Sequence, residues 1–291
     1  VCVDTRDPNL ALLAAERMAK AGLSRVTLLT DEAGAEFVRP RNAYGIELKV
    51  IPTLQDMDDY SRFMIRELAN FIGAEHFLVF QWDGFILDPN LWWDGYLDYD
   101  VIGAPWPATF APPGALVGNG GFSLRSRRLL NALPQLGPPP AKVPEDVFIA
   151  RNAETLSAIA GIVIAPAAIA RHFSIEHRPQ DPVDASHWRP ARRGTFGFHA
   201  WFNFHLVFDD QGLLNFIDQV MTPAQRSRAL KCSVQPLLMV NLYLAGRFDC
   251  LREVTARTEA ELGVALDRND PAYFQNVIEL IASQPPGNPT A

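Results

Sequence analysis

The sequence has little of what most readily betrays a function. Its 291 residues include three cysteines. Cys2, Cys232 and Cys250 lie far apart, without CxxC or Cys/His spacing, which argues against a disulfide scaffold or structural zinc site and leaves reduced thiols. No apolar run approaches the roughly 20 residues a spanning helix needs; the longest, around 158–170 and 234–245, are short or broken by proline and polar side chains. A basic surplus is missing too. Against 26 Lys and Arg stand 33 Asp and Glu, a net charge of -7, the wrong sign for a surface that neutralises nucleic-acid phosphates. There is no P-loop, no GxGxxG after the first strand, no GxSxG and no HExxH, which removes the simplest kinase, dehydrogenase, serine-hydrolase and zincin chemistries. The chain opens without methionine inside a strand-like run, which suggests an upstream segment removed or left out. With reduced thiols and no membrane span, the expected compartment is the cytoplasm.

What is present is an ordinary globular composition, 48% hydrophobic and 20% charged, long enough to bury a substantial core as one large domain or two moderate ones. The first half alternates short β-rich runs with amphipathic helices, the pattern of an α/β sheet. Strands are expected at 1–5, 25–30 and 47–51, with helices from Pro8 to the stop at Gly22 and over 59–72. The run at 76–81 is the most strand-like, and its nearly continuous apolar character suits a central strand covered on both faces. Antiparallel or edge strands around 101–107 and 117–126, helices after Ser126 and over 145–152, and a short strand in "GIVIAP" follow. Beyond about Asp209 helical patterns take over, including 254–262 and 271–283, and "LLMVNLYLAGRFDCLREV" reads as a helical hairpin. The tail "QPPGNPTA" is expected to be disordered.

Four dispersed signals carry chemistry. Gln81-Trp82-Asp83-Gly84 puts an acid just beyond the carboxyl end of a strand, where open α/β sheets bind ligands. Asp83 either holds a divalent cation, with Gly84 permitting close approach, or caps an amide within a turn. Gly118-Asn119-Gly120-Gly121 either passes under a flat polar ligand and offers it amides or turns a hairpin. In Pro144-Glu145-Asp146, the acids either complement a helix dipole or project one carboxylate into a cleft as a general base. His199 is either a packing residue or a metal ligand. Trp82, Trp106 and Trp201 offer rings for sugars or serve as core anchors.

In this order, a strand-end acid, a glycine loop, an acid pair and a late histidine resemble the common core of the GT-A fold of nucleotide-sugar glycosyltransferases. "FLVFQWDGFILDP", "IGAPWP", "VGNGGFSLRSRRLL", "PEDVFIAR" and "FGFHAWFN" are closer still to a glycosyltransferase-like family, domain of unknown function 5672, over roughly residues 1–204. The resemblance implies an α/β, GT-A-like (Rossmann-like) mixed sheet with helices on both faces over 1–208, then a small α-helical extension over 209–291. It implies an inverting glycosyltransferase that moves sugar from a nucleotide sugar, a UDP-sugar favoured, to a glycan or other hydroxyl acceptor, with Mn2+ or Mg2+ as cofactor. On that resemblance Asp83 and His199 ligate the metal, Asp146 is the catalytic base, and Glu145 sits beside it near the acceptor. Gly118, Asn119, Gly120 and Gly121 line sugar and acceptor. Asp4, Thr5 and Asp31 meet the base and ribose by analogy, and Arg62 meets the diphosphate or base unless it is a solvated surface arginine.

Gln81, next to Trp82 at the donor, stands where the superfamily motif Asp-any-Asp has its first acid. The replacement costs one negative charge and lowers metal affinity. A catalytically inactive module binding nucleotide sugar or glycan is therefore one rival, and a nucleotidyltransferase or phosphohydrolase on a similar sheet is another. The segment 178–195, carrying Arg178, Arg189, Arg192 and Arg193, reads either as a loop closing over donor phosphates or as inert surface. Nothing in the sequence specifies an oligomeric state.

Overall fold

Each strand-like run is punctuated by a turn residue or a helix start, so the strands are short. A computed structural model describes residues 1–107, 116–177, 194–232 and 234–264. β1 (Cys2–Val3), β2 (Thr27–Thr30) and β3 (Glu47–Val50) form a parallel sheet in that order. Successive residues of a strand face opposite sides, and Leu28 and Leu29 are both fully buried, so β2 is covered on both faces, as parallel strands require. β3 is the edge. Its end residues Glu47 and Val50 are exposed and Leu48 and Lys49 are half-buried, and Glu47 and Lys49 discourage further pairing there.

A second sheet is antiparallel. β4 (His76–Phe80) pairs with β7 (Phe122–Ser126), which also pairs with β6 (Val101–Ile102). The Phe80 amide donates to the Val1 carbonyl at 3.0 Å, so β4 lies between β7 and the start of β1. β5 (Phe85–Ile86) pairs antiparallel with β9 (Gly197–Phe198), which runs parallel to β8 (Ser174–Ile175). The described architecture is thus mixed α/β with small parallel and antiparallel sheets.

Local chemistry sets the helices. α1 (Pro8–Lys20) has Pro at its first turn, where a missing amide costs nothing, and buries Leu10, Ala11, Ala14, Ala15 and Met18 at helical spacing. α2 (Glu32–Val38) is capped by Asp31 and α3 (Met57–Arg66) by Asp56. α4 (Arg127–Ala132) starts on Ser126, whose Oγ accepts the Leu129 amide at 3.0 Å and donates to Asp100 Oδ1. α5 (Glu145–Arg151), α6 (Ala153–Ala160) and α7 (Ala167–Phe173) follow. The main core joins Val3 and Leu29 of the parallel sheet to Met64, Leu68, Val79, Leu129 and Ile149. Burying each such side chain contributes roughly 1.5–3 kcal/mol before entropy is set against it.

Two sequence expectations need correction. The helix expected over 59–72 ends at Arg66 and gives way to a 3-10 turn, Leu68–Asn70; the Phe71 carbonyl is taken up by Lys49 Nζ at 2.8 Å instead. "GIVIAP" is not a strand but a single bridge from Ile164 to Val101, since the two-residue β6 offers little to pair with and Pro166 opens α7. The chain forms two compact units, Val1–Ala200 and Trp201–Ala291, and the sequence placed a soft boundary after 208. Residues 201–206 form a 3-10 turn whose Phe202 carbonyl accepts Asn241 Nδ2 at 2.9 Å, which ties this turn to the helical unit.

In that second unit α8 (Asp210–Asn215), α9 (Pro223–Lys231), α10 (Gln235–Leu244) and α11 (Phe248–Leu262) are described. α9 opens with a capping box between Thr222 and Gln225. α10 and α11 turn at Gly246, whose positive φ of 70° suits glycine, and form the expected hairpin. The helix expected at 271–283, the tail, and Arg178, Arg189, Arg192 and Arg193 lie outside the described residues. Among described residues no helix is long and apolar enough to cross a membrane, and all three cysteines are free thiols.

Candidate functional site

Three backbone ladders end at one place. In the β4–β7 pair Phe80 faces Phe122, so the next residues, Gln81 and Gly121, face each other, and the Gln81 amide donates to the Gly121 carbonyl at 2.8 Å. A tight turn follows, closed by the Gly84 amide on the Gln81 carbonyl at 3.1 Å, with Asp83 inside it. In the β5–β9 pair Phe85 faces Phe198, which brings His199 opposite Gly84. β8 and β9 pair Ile175 with Phe198 in parallel, so Glu176 emerges beside His199. Register alone therefore gathers Asp83, Gly121, Glu176 and His199.

Side-chain geometry follows. His199 Nε2 lies 3.3 Å from Asp83 Oδ1 and its Nδ1 lies 3.0 Å from Glu176 Oε1, with Asn119 Nδ2 also 3.0 Å from Nδ1. Burial alone would lower the imidazole pKa, but the Asp83 and Glu176 carboxylates outweigh it and raise it to about 10. Burial raises and His199 lowers the Glu176 pKa, with a net fall. The glycines make the room: a Cβ on Gly121 would lie 1.9 Å from His199 Nε2, and one on Gly84 would lie 2.5 Å from the Gly121 carbonyl oxygen. Asn119 and Ala200, both left-handed at φ 73° and 76°, flank this cluster. Non-glycine residues adopt that region at a cost of about 1–2 kcal/mol, and such strain gathers at functional sites. Asn119 offsets its share by accepting the Gly121 amide on Oδ1 at 2.9 Å.

The acid pair at the start of α5 splits into two environments. Asp146 is half-buried; its Oδ2 accepts the Gly120 amide at 2.8 Å and its Oδ1 the Val147 amide at 2.7 Å. Burial and the neighbouring Glu145 charge raise its pKa to about 6. Glu145 was expected near an acceptor, but it is 4% exposed and its Oε1 accepts from Arg125 Nη2 at 2.8 Å. A Cβ on Gly120 would lie 2.1 Å from that same oxygen. Arg125 sits inward on a strand whose five residues are all buried. A guanidinium there must be paired, since an unpaired buried charge is far costlier.

Asp83 and His199 are the donors that would meet a divalent cation. Octahedral bonds of about 2.1 Å place neighbouring ligand atoms about 3 Å apart, and the Oδ1–Nε2 separation is close to that. Glu176 on the other ring nitrogen is the usual partner that orients a ligating imidazole. Two side chains leave most of such a shell to other oxygens, and among the described residues no group of three or more His, Cys, Asp or Glu is arranged to hold a metal.

A family model described as "Protein of unknown function (DUF5672)" matches residues 45–199, more than half of the 291-residue chain. The chain belongs to that family. The DUF5672 segment runs from just before β3 to His199 and so contains every residue of the cluster. No curated protein matches the sequence. Among solved structures, HddC from Yersinia pseudotuberculosis is 15% identical over 44% of this chain and 77% of its own, with a TM-score of 0.31. The apo form of mouse xyloside xylosyltransferase 1 is 9% identical over 69% of this chain and 96% of its own, with a TM-score of 0.39. Likenesses this loose fix neither fold nor activity.

The other candidates stand apart from the DUF5672 cluster in their bonding. Asp4 Oδ1 accepts the Arg6 and Asp7 amides, both at 2.8 Å, and burial raises its pKa. Thr5 Oγ1 accepts the Leu54 amide at 3.0 Å. Asp31 caps α2 through the Gly34 amide at 2.9 Å and accepts Thr53 Oγ1 at 2.8 Å. Arg62 is exposed and paired with Asp59 one helical turn earlier. Gln81 turns back toward α3, where Nε2 donates to the Tyr60 hydroxyl at 3.2 Å; Trp82 is half-buried on the same turn, and the Trp106 ring lies over Gly118. Glu176, Arg125 and Tyr60 escaped the sequence reading. Glu176 had a legible signal, an acid directly after a strand-like run, as Asp83 has; the other two had none short of the strand register.

Proposed function

We propose that the chain is a metal-dependent glycosyltransferase that moves a sugar from a nucleoside-diphosphate donor, a UDP-sugar favoured, to a hydroxyl of a glycan or other acceptor with inversion. The observation that carries this reading is the bridge made by Gly120 and Gly121. One glycine abuts the Asp83–His199 pair and the other donates its amide to the carboxylate of Asp146. A cation-binding pair and a proton acceptor are thus joined through backbone that carries no side chain, the division of labour that departure of a diphosphate and deprotonation of a hydroxyl call for.

Asp83 and His199 would hold Mn2+ or Mg2+, and a bound divalent cation supplies positive charge to the diphosphate as it leaves. Glu176 holds His199 with Nε2 toward Asp83. Asp146 takes the acceptor's proton: raised to about 6, it remains mostly ionised at neutral pH while being a stronger base than an ordinary carboxylate. The two amides on its oxygens fix its rotamer. Glu145, tied to Arg125, is no competing base; it supports Gly120 from beneath. A single base on one face of the sugar implies single displacement.

The rival of a binding module without turnover is favoured by one observation. Gln81 is bonded to Tyr60, and no second carboxylate stands in its place. The test is calorimetric titration of Mn2+ with and without UDP, then product analysis with UDP-sugars and mixed acceptors. The transferase reading expects weak Mn2+ binding alone, much tighter binding with UDP, and sugar transfer. Tight stoichiometric Mn2+ binding without nucleotide contradicts the two-ligand arrangement. Binding without transfer leaves the module.

A further inference from the structure

At the end of the β5–β9 ladder away from Asp83 and His199, the Leu87 amide donates to the Phe196 carbonyl at 2.8 Å, and the chain then presents two adjacent tryptophans. Trp92 is 38% exposed and Trp93 52%, values that leave a large part of each indole to solvent. Neither ring is loose. Both lean edge-on against the buried Tyr96, with centroids 5.6 and 5.4 Å away, and Trp92 also packs on Phe196 at 5.4 Å. Trp92 Nε1 donates to Asp94 Oδ1 at 2.8 Å. Gly95 makes the room for Trp93, since a Cβ there would fall 2.2 Å from its ring. These rings, with Asn90 on one side and Ile169 and His172 of α7 on the other, enclose a cleft of about 450 Å³, within the size range of small-ligand sites.

We propose that this cleft is a binding site for a neutral saccharide, stacked on the exposed indole faces and hydrogen-bonded by Asn90 and His172. Ring faces held rigidly in water lose little entropy on binding, and Trp is suited to surfaces with one apolar and one wet side. Among the described residues that line it none is Asp, Glu, Lys or Arg, so this lining matches a neutral ligand better than a phosphate or carboxylate. The polar groups it offers are those that match hydroxyls. Asn90 brings an amide, and His172, its pKa lowered by burial and then by Arg171, is neutral at pH 7 and brings one donor and one acceptor. Asn90 Nδ2 already donates to Asp88 Oδ1 at 3.0 Å, which holds the amide in place and leaves its carbonyl oxygen for a hydroxyl; an apolar peptide would cover that oxygen and the imidazole without bonding them, at a cost. The site does not require transfer at Asp83.

The test is an array of neutral oligosaccharides probed with the full chain, followed by tryptophan-fluorescence titration of the tightest binder; Mn2+–UDP binding is measured on the same preparation. Trp93→Ala is expected to weaken saccharide binding about tenfold or more, the scale of an aromatic hot spot, and Trp93→Tyr to keep most of it. Should Trp93→Ala lose its thermal transition, His172→Ala and Gly95→Ala carry the same reading, the latter by displacing the Trp93 ring. No binding anywhere on the array overturns the proposal, as does a saccharide held equally well by Trp92→Ala and Trp93→Ala chains. Saccharide binding without Mn2+–UDP binding supports the cleft while removing the transferase; the converse removes the cleft alone.

Discussion

The acids at the ends of the parallel strands and the acids around the glycine loop show two uses of the same side chain. Asp4 Oδ1 and Asp31 Oδ1 accept amides two or three residues ahead, from Arg6, Asp7 and Gly34, so these oxygens are engaged by the turns and caps that they themselves create, while the other Asp31 oxygen accepts Thr53 Oγ1. Asp83 and Asp146 Oδ2 meet groups distant in the chain, His199 and the Gly120 amide, although Asp146 Oδ1 also accepts the adjacent Val147 amide. Local partners exist wherever the segment folds, and they serve stability. Distant partners exist only when the whole register is correct, which ties the chemistry to the complete fold.

Substitutions should separate the two groups, beginning with Asp146 as the proposed base. Asp146→Asn is expected to lower sugar transfer on the order of 10²–10⁴-fold while leaving UDP-sugar binding nearly unchanged, read as turnover against donor titration; wild-type turnover in this variant would dissolve the contrast with Asp4. Glu145→Ala next leaves the Arg125 guanidinium buried without its carboxylate and should cost roughly 3–5 kcal/mol of stability in urea unfolding.

The pH profile sharpens the comparison without breaking the fold. Protonated Asp146 cannot accept a proton, so transfer should fall about tenfold per unit as pH drops below about 6 and level off above it. Glu145→Gln removes a charge that raises this pKa, so the acid limb should move to lower pH; a limb that does not move assigns the titration elsewhere. Smaller still, Asp31→Ala loses a helix cap worth about 1 kcal/mol, visible as a shifted urea midpoint with donor binding retained. Arg62→Ala, at an exposed ion pair, should change stability by less than about 1 kcal/mol and leave Mn2+–UDP titrations as they were; a large loss of nucleotide binding would return Arg62 to the site.

By itself the sequence determined many of the elements, though not all of their ends. Helical spacing from Leu10 to Met18, the helix start after Ser126, the apolar run before Gln81 and the glycines after Gly118 are short-range features, set by propensity and sterics within one turn of chain. They also marked Asp83, Asp146 and His199 as residues of interest. Tertiary structure decided which of two equal neighbours does what. Glu145 and Asp146 are alike as letters, but one faces Arg125 beneath Gly120 and the other faces the Gly120 amide, because successive residues of a helix point about 100° apart and only packing says what lies in each direction. It decided too that Glu176 stands behind His199 and that Gln81 turns to Tyr60. The first pairing follows from strand register and the second from where α3 lies; both rest on contacts between distant segments, and no local window of sequence contains them.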